Sequence, residues 1–182
     1  MGHRSRKVDE VVREPDYVTW QENGKEYTQV SPGWKRELLA NYAASYPFYS
    51  FVETGTCDGG TLAAMTPLFE SLYSIELDLG IYAQALQRFK DVSKIHLFHG
   101  DSGDYLSMLL PLLKQPVLFW LDAHGPNWIG PIVKEMRSIF ASRLQGVILV
   151  DDVDYMTDTL PTDPDWPYTE EYGIRRLVHV LG

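Results

Sequence analysis

Three aspartates, Asp122, Asp151 and Asp152, directly follow two short apolar runs, Val117–Leu121 and Val147–Val150. If those runs are neighbouring strands, about 4.8 Å apart, the carboxylates converge on one spot. Crowded carboxylates repel, so they take up protons or share a cation. An all-oxygen donor set suits a hard divalent ion such as magnesium better than zinc. Such an ion could hold a substrate hydroxyl and lower its pKa for attack. Loop capping and solubility are the other account of these acids. His124, two residues after Asp122, is a candidate general base for a hydroxyl proton, although a lone loop histidine is more often a structural hydrogen-bonder.

A second group lies upstream, after the apolar run Phe48–Val52: Glu53-Thr54-Gly55-Thr56-Cys57-Asp58-Gly59-Gly60. Glycines there let the backbone bend sharply and approach a ligand, and the helix that follows offers its N–H groups at the same place. The spacing reads E-x-G-x-x-x-G-G. A nicotinamide fingerprint would read G-x-G-x-x-G, which argues against a dehydrogenase. Glu76 falls twenty-one residues after Gly55, where a carboxylate would hold a ribose diol. Asp78 reads as the cap of the next helix. The turn Gly100-Asp101-Ser102-Gly103 could line a flat heteroaromatic ring, or Asp101 or Ser102 could cap a helix at Tyr105, and the two roles are compatible. His96 and His99 lack metal-site spacing. Cys57 has no histidine beside it and reads as a small loop residue.

The elements that must position these residues alternate. Apolar runs at Phe48–Val52, Leu72–Ile75, Ile95–Phe98, Val117–Leu121 and Val147–Val150 read as buried strands. Gly60–Phe69, Leu79–Phe89, Tyr105–Leu113 and Pro131–Phe140 read as helices, with Pro67 and Pro111 ending or kinking two of them. Strands separated by crossover helices imply an α/β fold, a doubly wound Rossmann-like parallel sheet. The expected strand order is 3-2-1-4-5, with ligands beyond the carboxyl ends. Residues 1–47 form a separate lead-in: a tail, a hairpin about Asn23-Gly24, and a helix from Ser31-Pro32 with Trp34, Leu38, Leu39 and Tyr42 on one face. Residues 48–182 form the main domain. Its Asp/Pro-rich stretch through Pro167 and Pro126-Asn127-Trp128 are expected at the substrate rim, and a last helix over Glu170–Leu181.

The bulk properties narrow the classes. The chain has 182 residues, 45% of them apolar, and a net charge of −9. Its only basic cluster is the tail at Arg4, Arg6 and Lys7, so nucleic acid is not an expected partner. No apolar run approaches the ~20 residues that cross a bilayer, and the basic opening leads into Val8-Asp9-Glu10 instead of a signal core. Arg6 stands where a myristoylation site wants Ser or Thr. A single cysteine forms no internal disulfide, and a cytoplasmic location is expected.

Taken together, Phe51-Val52-Glu53-Thr54-Gly55-Thr56…Gly59-Gly60, Ser74-Ile75-Glu76-Leu77, Gly100-Asp101-Ser102-Gly103, Phe119-Trp120-Leu121-Asp122-Ala123-His124 and Val147-Ile148-Leu149-Val150-Asp151-Asp152 resemble the class I S-adenosylmethionine-dependent methyltransferases. Within them the similarity is to the metal-dependent O-methyltransferases of the catechol and macrolide-sugar type. The resemblance implies that Glu53, Gly55, Thr56 and Gly59 hold the methionine part of S-adenosylmethionine. Glu76 would bind the ribose, and Asp101 and Ser102 would face the adenine. Asp122, beside the cofactor, would join Asp151 and Asp152 as Mg2+ ligands. It implies methyl transfer to a small-molecule or sugar hydroxyl. The catechol enzymes place a lysine base where this chain has Gly125, so either His124 substitutes or there is no dedicated base. The family's final strand pair is expected to be missing. A truncated, inactive module is therefore the alternative, and the hairpin or the open sheet edge is the expected surface for a homo-oligomer.

Overall fold

The computed structural model describes residues 16–22, 24–124 and 131–151, and short strands at 169–171, 174–176 and 180–181. The chain divides into two compact units, Met1–Pro47 and Phe48–Gly182. In the first, strands β1 (Tyr17–Glu22) and β2 (Lys25–Val30) pair antiparallel. Gly24 supplies the positive φ, +74°, that a two-residue hairpin turn demands. Helix α1 (Pro32–Ser45) follows. Ser31 caps it, its hydroxyl accepting from Trp34 N at 3.1 Å, and Pro32 occupies the first turn, where no N–H is needed. Trp34, Leu38, Leu39 and Tyr42 form its buried stripe.

The second unit is built on five parallel strands: β3 (Ser50–Thr54), β4 (Ser71–Glu76), β5 (Ile95–His99), β6 (Val117–Leu121) and β7 (Gly146–Val150). They lie in the order β7-β6-β3-β4-β5, the expected 3-2-1-4-5 read from the other edge. Strand order reverses between β3 and β6, so the crevice of a doubly wound sheet opens beyond their carboxyl ends. Right-handed crossovers put α2 (Gly60–Met65) and α3 (Leu79–Phe89) on one face, and α4 (Ser102–Leu109) and α5 (Ile132–Ser142) on the other. The main core lies under α4 and α5: Val52, Ile75, Phe119, Leu121, Ile148 and Val150 pack on Leu106, Leu109, Ile132, Met136 and Ile139. Burial on both faces explains why β6 and β7 read as unbroken apolar runs. At the two prolines the helices tighten into 3-10 turns, Thr66–Leu68 and Leu110–Leu112. No helix among the described residues is long and apolar enough to cross a membrane.

Two expectations need correction. The segment 170–181 is not one helix. It contains strands β8 (Thr169–Glu171) and β9 (Ile174–Arg176), paired antiparallel, and β10 (Val180–Leu181). The edge of the sheet is also not left bare after β7, because β10 pairs antiparallel with it. The unpaired amides of β7 attract a strand, and apolar spacing in so short a segment does not distinguish helix from strand.

The β6–β7 register makes a testable demand. A Cβ on Gly146 would lie 2.2 Å from the Val117 carbonyl oxygen, a backbone atom that cannot swing aside. Gly146→Ala is expected to cost about 1–3 kcal/mol, read as a lower urea midpoint. An unchanged midpoint would contradict this register.

Candidate functional site

The hydrogen-bond ladder continues past the strand ends. Gly55 N donates to Ile75 O (2.9 Å), Gly100 N to Glu76 O (2.8 Å), Asp122 N to Thr54 O (3.1 Å) and Asp151 N to Leu121 O (2.9 Å). Together with the pairings Glu76↔His99, Thr54↔Ile75, Thr54↔Leu121 and Leu121↔Val150, this sets His99, Glu76, Gly55, Asp122 and Asp151 in one row at the carboxyl edge. Asp122 and Asp151 therefore leave adjacent strands side by side. Asp152 and Pro126-Asn127-Trp128 lie outside the described residues. Among the described residues no three His, Cys, Asp or Glu side chains form a metal-binding group.

The turn after β3 takes its shape from left-handed residues: Gly55 (φ +82°), Cys57 (φ +48°) and Gly59 (φ +72°). At Gly55 there is no room for a side chain, since a Cβ would meet Asp122 O at 2.8 Å. The bend points successive amides at one acceptor. Glu76 Oε2 accepts from Thr56 N (2.9 Å) and Cys57 N (3.1 Å), while Oε1 accepts from Asp78 N (2.9 Å). The hydroxyls of Thr56 and Ser74 meet at 2.6 Å. From α3, the Arg88 guanidinium donates to the Asp58 carbonyl, and the Phe89 ring fills the space against Gly59. Asp78 is the cap of α3, accepting from Gly80 N and Ile81 N at 2.7 and 2.9 Å.

Glu53 lies beneath this turn, 1% exposed, with no hydrogen-bond partner at Oε2. Burial is the main reason its carboxyl titrates well above the ordinary range. The charge of Asp122 raises it further, the Ser74 hydroxyl pulls it back, and Asp58 and Glu76 add smaller upward pushes. A cluster of this sign favours a ligand carrying positive charge. The turn therefore fits a cationic nucleoside in two respects: it has a buried acid with one oxygen left without a partner, and a backbone pressed too close for any residue but glycine.

The remaining candidates are distributed differently. Asp101 is exposed and caps α4, accepting from Asp104 N at 3.0 Å. Ser102 is buried, and its hydroxyl donates to Glu135 instead of standing open in the crevice. His124 is exposed, two residues beyond Asp122. Glu135 itself was not singled out from the sequence. Its position on the buried stripe of α5, beside Ile132, Met136 and Ile139, is the signal that could have revealed it. Burial pushes its carboxyl up to about 7, opposed by the Ser102 and Thr54 hydroxyls and helped by the Asp101 charge.

No family model matches the chain, and no curated protein matches it. Solved structures do. A candidate caffeoyl-CoA O-methyltransferase from Staphylococcus aureus superposes with a TM-score of 0.56 at 15% identity, over 71% of this chain and 62% of that one. A candidate O-methyltransferase from Klebsiella pneumoniae gives 0.54 at 21% identity, over 75% and 63%. The precorrin 8W decarboxylase of Methanobacterium thermoautotrophicum gives 0.55 at 16% identity, over 78% and 76%. The fold is that of the class I methyltransferases. This chain thus spans less than two thirds of the length of the two methyltransferase structures. In a doubly wound sheet the crevice lies beyond the carboxyl ends of the strands, and here that edge carries Gly55 and Glu76.

A raised carboxyl pKa has a definite consequence for stability. Between the ordinary value of 4.5 and about 7, the folded state keeps the Glu135 proton that the unfolded chain releases. The stability this gives is full below 4.5 and is lost as pH rises to about 7, at up to about 1.4 kcal/mol per pH unit. Glu135→Gln carries no such proton. Relative to the wild type, its urea stability should rise from pH 4.5 to 7 and level off above. Parallel profiles would contradict a buried, neutral Glu135.

Proposed function

We propose that this chain binds S-adenosylmethionine at the carboxyl edge of β3 and β4 and transfers its methyl group to the hydroxyl of a small molecule or sugar. The observation that carries this reading is the Gly55 turn, closed on Asp122 O and braced by Glu76, above the buried Glu53, whose Oε2 has no hydrogen-bond partner. When bound, the cofactor supplies a methyl on a positively charged sulfur, an electrophile that needs little beyond a well-placed nucleophile. Glu53, with Asp122 and Asp58 near it, gives the methionine end a negative surround. Among the described residues Glu76 Oε1 accepts a hydrogen bond from Asp78 N, which leaves it a lone pair for a ribose hydroxyl. The turn at Gly100 and Asp101 borders the place where the adenine would lie.

Asp122 and Asp151 stand side by side at adjacent strand ends, and with the carboxylate of the next residue in sequence, Asp152, they would supply an all-oxygen donor set of the kind that suits magnesium. In this reading they orient the acceptor hydroxyl, and His124 takes its proton. A net charge of −9 disfavours a nucleic-acid acceptor. The placement we propose is cytoplasmic.

A second reading, a domain that holds no cofactor, draws on the same Glu76. Its three bonds to backbone amides are a sufficient structural reason for an acid there. Titration calorimetry separates the two. S-adenosylhomocysteine is expected to bind with micromolar affinity, and Gly55→Ala should weaken that binding at least about tenfold, because the new Cβ collides with Asp122 O. Asp122→Asn with Asp151→Asn should abolish any stabilisation by magnesium. Folded wild-type protein that binds no S-adenosylhomocysteine would favour the second reading.

A further inference from the structure

Glu135 has no part in the chemistry above, yet it occupies a costly position. It is 1% exposed on a helix face otherwise made of Ile132, Met136 and Ile139, where an apolar residue would avoid the penalty of burying a carboxyl. Its Oε1 accepts from the Ser102 hydroxyl, and its Oε2 has no partner. Ser102 opens α4 and directly follows the turn in which Gly100 N donates to Glu76 O. One buried carboxyl group thus ties α5, which packs on the sheet through Ile132, Met136 and Ile139, to the first turn of α4 and the Gly100–Asp101 turn beside it. Lys134, next to it, ties α5 to Asp104 and Asp101 only at the surface, where ion pairs hold little.

We propose that Glu135 is a positioning residue for the cofactor crevice: through Ser102 it fixes the first turn of α4, and with it the Gly100–Asp101 turn, against α5 and the sheet on which α5 packs. The proposal rests on the cofactor reading above for its ligand, though not for its mechanics. It separates affinity from stability. A leucine at 135 keeps the packing and removes the desolvation cost while cutting the tether, so the protein should be as stable as before but bind less well.

The test compares Glu135→Leu, Glu135→Gln and Ser102→Ala with the wild type, by S-adenosylhomocysteine calorimetry, thermal melting and amide hydrogen exchange on the ligand-free proteins. Glu135→Leu should melt at or above the wild-type temperature and bind about tenfold more weakly. Its amides at Asp104 and Tyr105, which bond back to Asp101, should exchange faster, while those at 106–109 stay unchanged. Glu135→Gln, which can still accept from Ser102, should restore binding to within about twofold. Ser102→Ala should match the loss, and the double variant should add little to it. Unchanged exchange at 104–105 in Glu135→Leu, or additive losses, would overturn the proposal. Should Glu135→Leu not fold, Ser102→Ala carries the same two readouts. If the wild type fails to bind while exchange at 104–105 rises as expected, the positioning role stands and the cofactor reading is what fails.

Discussion

The carboxylate of Glu76 is the point on which the crevice is assembled. It comes from the last residue of β4, is nearly fully buried, and accepts backbone N–H groups from two different loops. Charge-assisted bonds of this kind are the stronger class. Here they offset the unfavourable left-handed backbone at Cys57 and the sharp bend at Gly55. Everything near the crevice is placed relative to that brace: Gly55 against Asp122 on one side, Gly100 against Glu76 O on the other.

Around this brace the unit gathers acids instead of dispersing them. Glu53 and Glu135 lie on opposite faces of the sheet, both buried and both held above the ordinary carboxylate range chiefly by burial. Among the described residues each leaves one oxygen without a hydrogen-bond partner. Buried polar atoms of this kind are uncommon and costly. On the Glu53 face the acids make a surface suited to a positive ligand. On the Glu135 face the acid ties α5 to the first turn of α4.

Much of this was legible in the sequence, for physical reasons. Strands buried on both faces leave unbroken apolar runs, and Val117–Leu121 was bounded to the residue. Glycines at 55 and 59 announced positive φ, and Asp78 announced a cap. What stayed hidden depended on partners distant in the chain. Ser102 read as a crevice residue because nothing local shows that Glu135, thirty-three positions on, takes its hydroxyl. Helix α4 begins at Ser102, ahead of the expected Tyr105, because Asp101 is its cap. The strands at 169–181 could not be told from a helix, since β10 takes its pairing from the open edge of β7 and β8 and β9 pair with each other, neither of which their own spacing announces.

The most direct measurement is an amide chemical-shift map of the uniformly 15N-labelled protein on addition of S-adenosylhomocysteine. Saturable shifts are expected to concentrate at Gly55, Thr56, Cys57, Leu77, Gly100 and Asp122, the residues about the Glu76 brace. Shifts confined to the amino ends of the strands, or to surfaces remote from Glu76, would contradict a cofactor crevice at this edge.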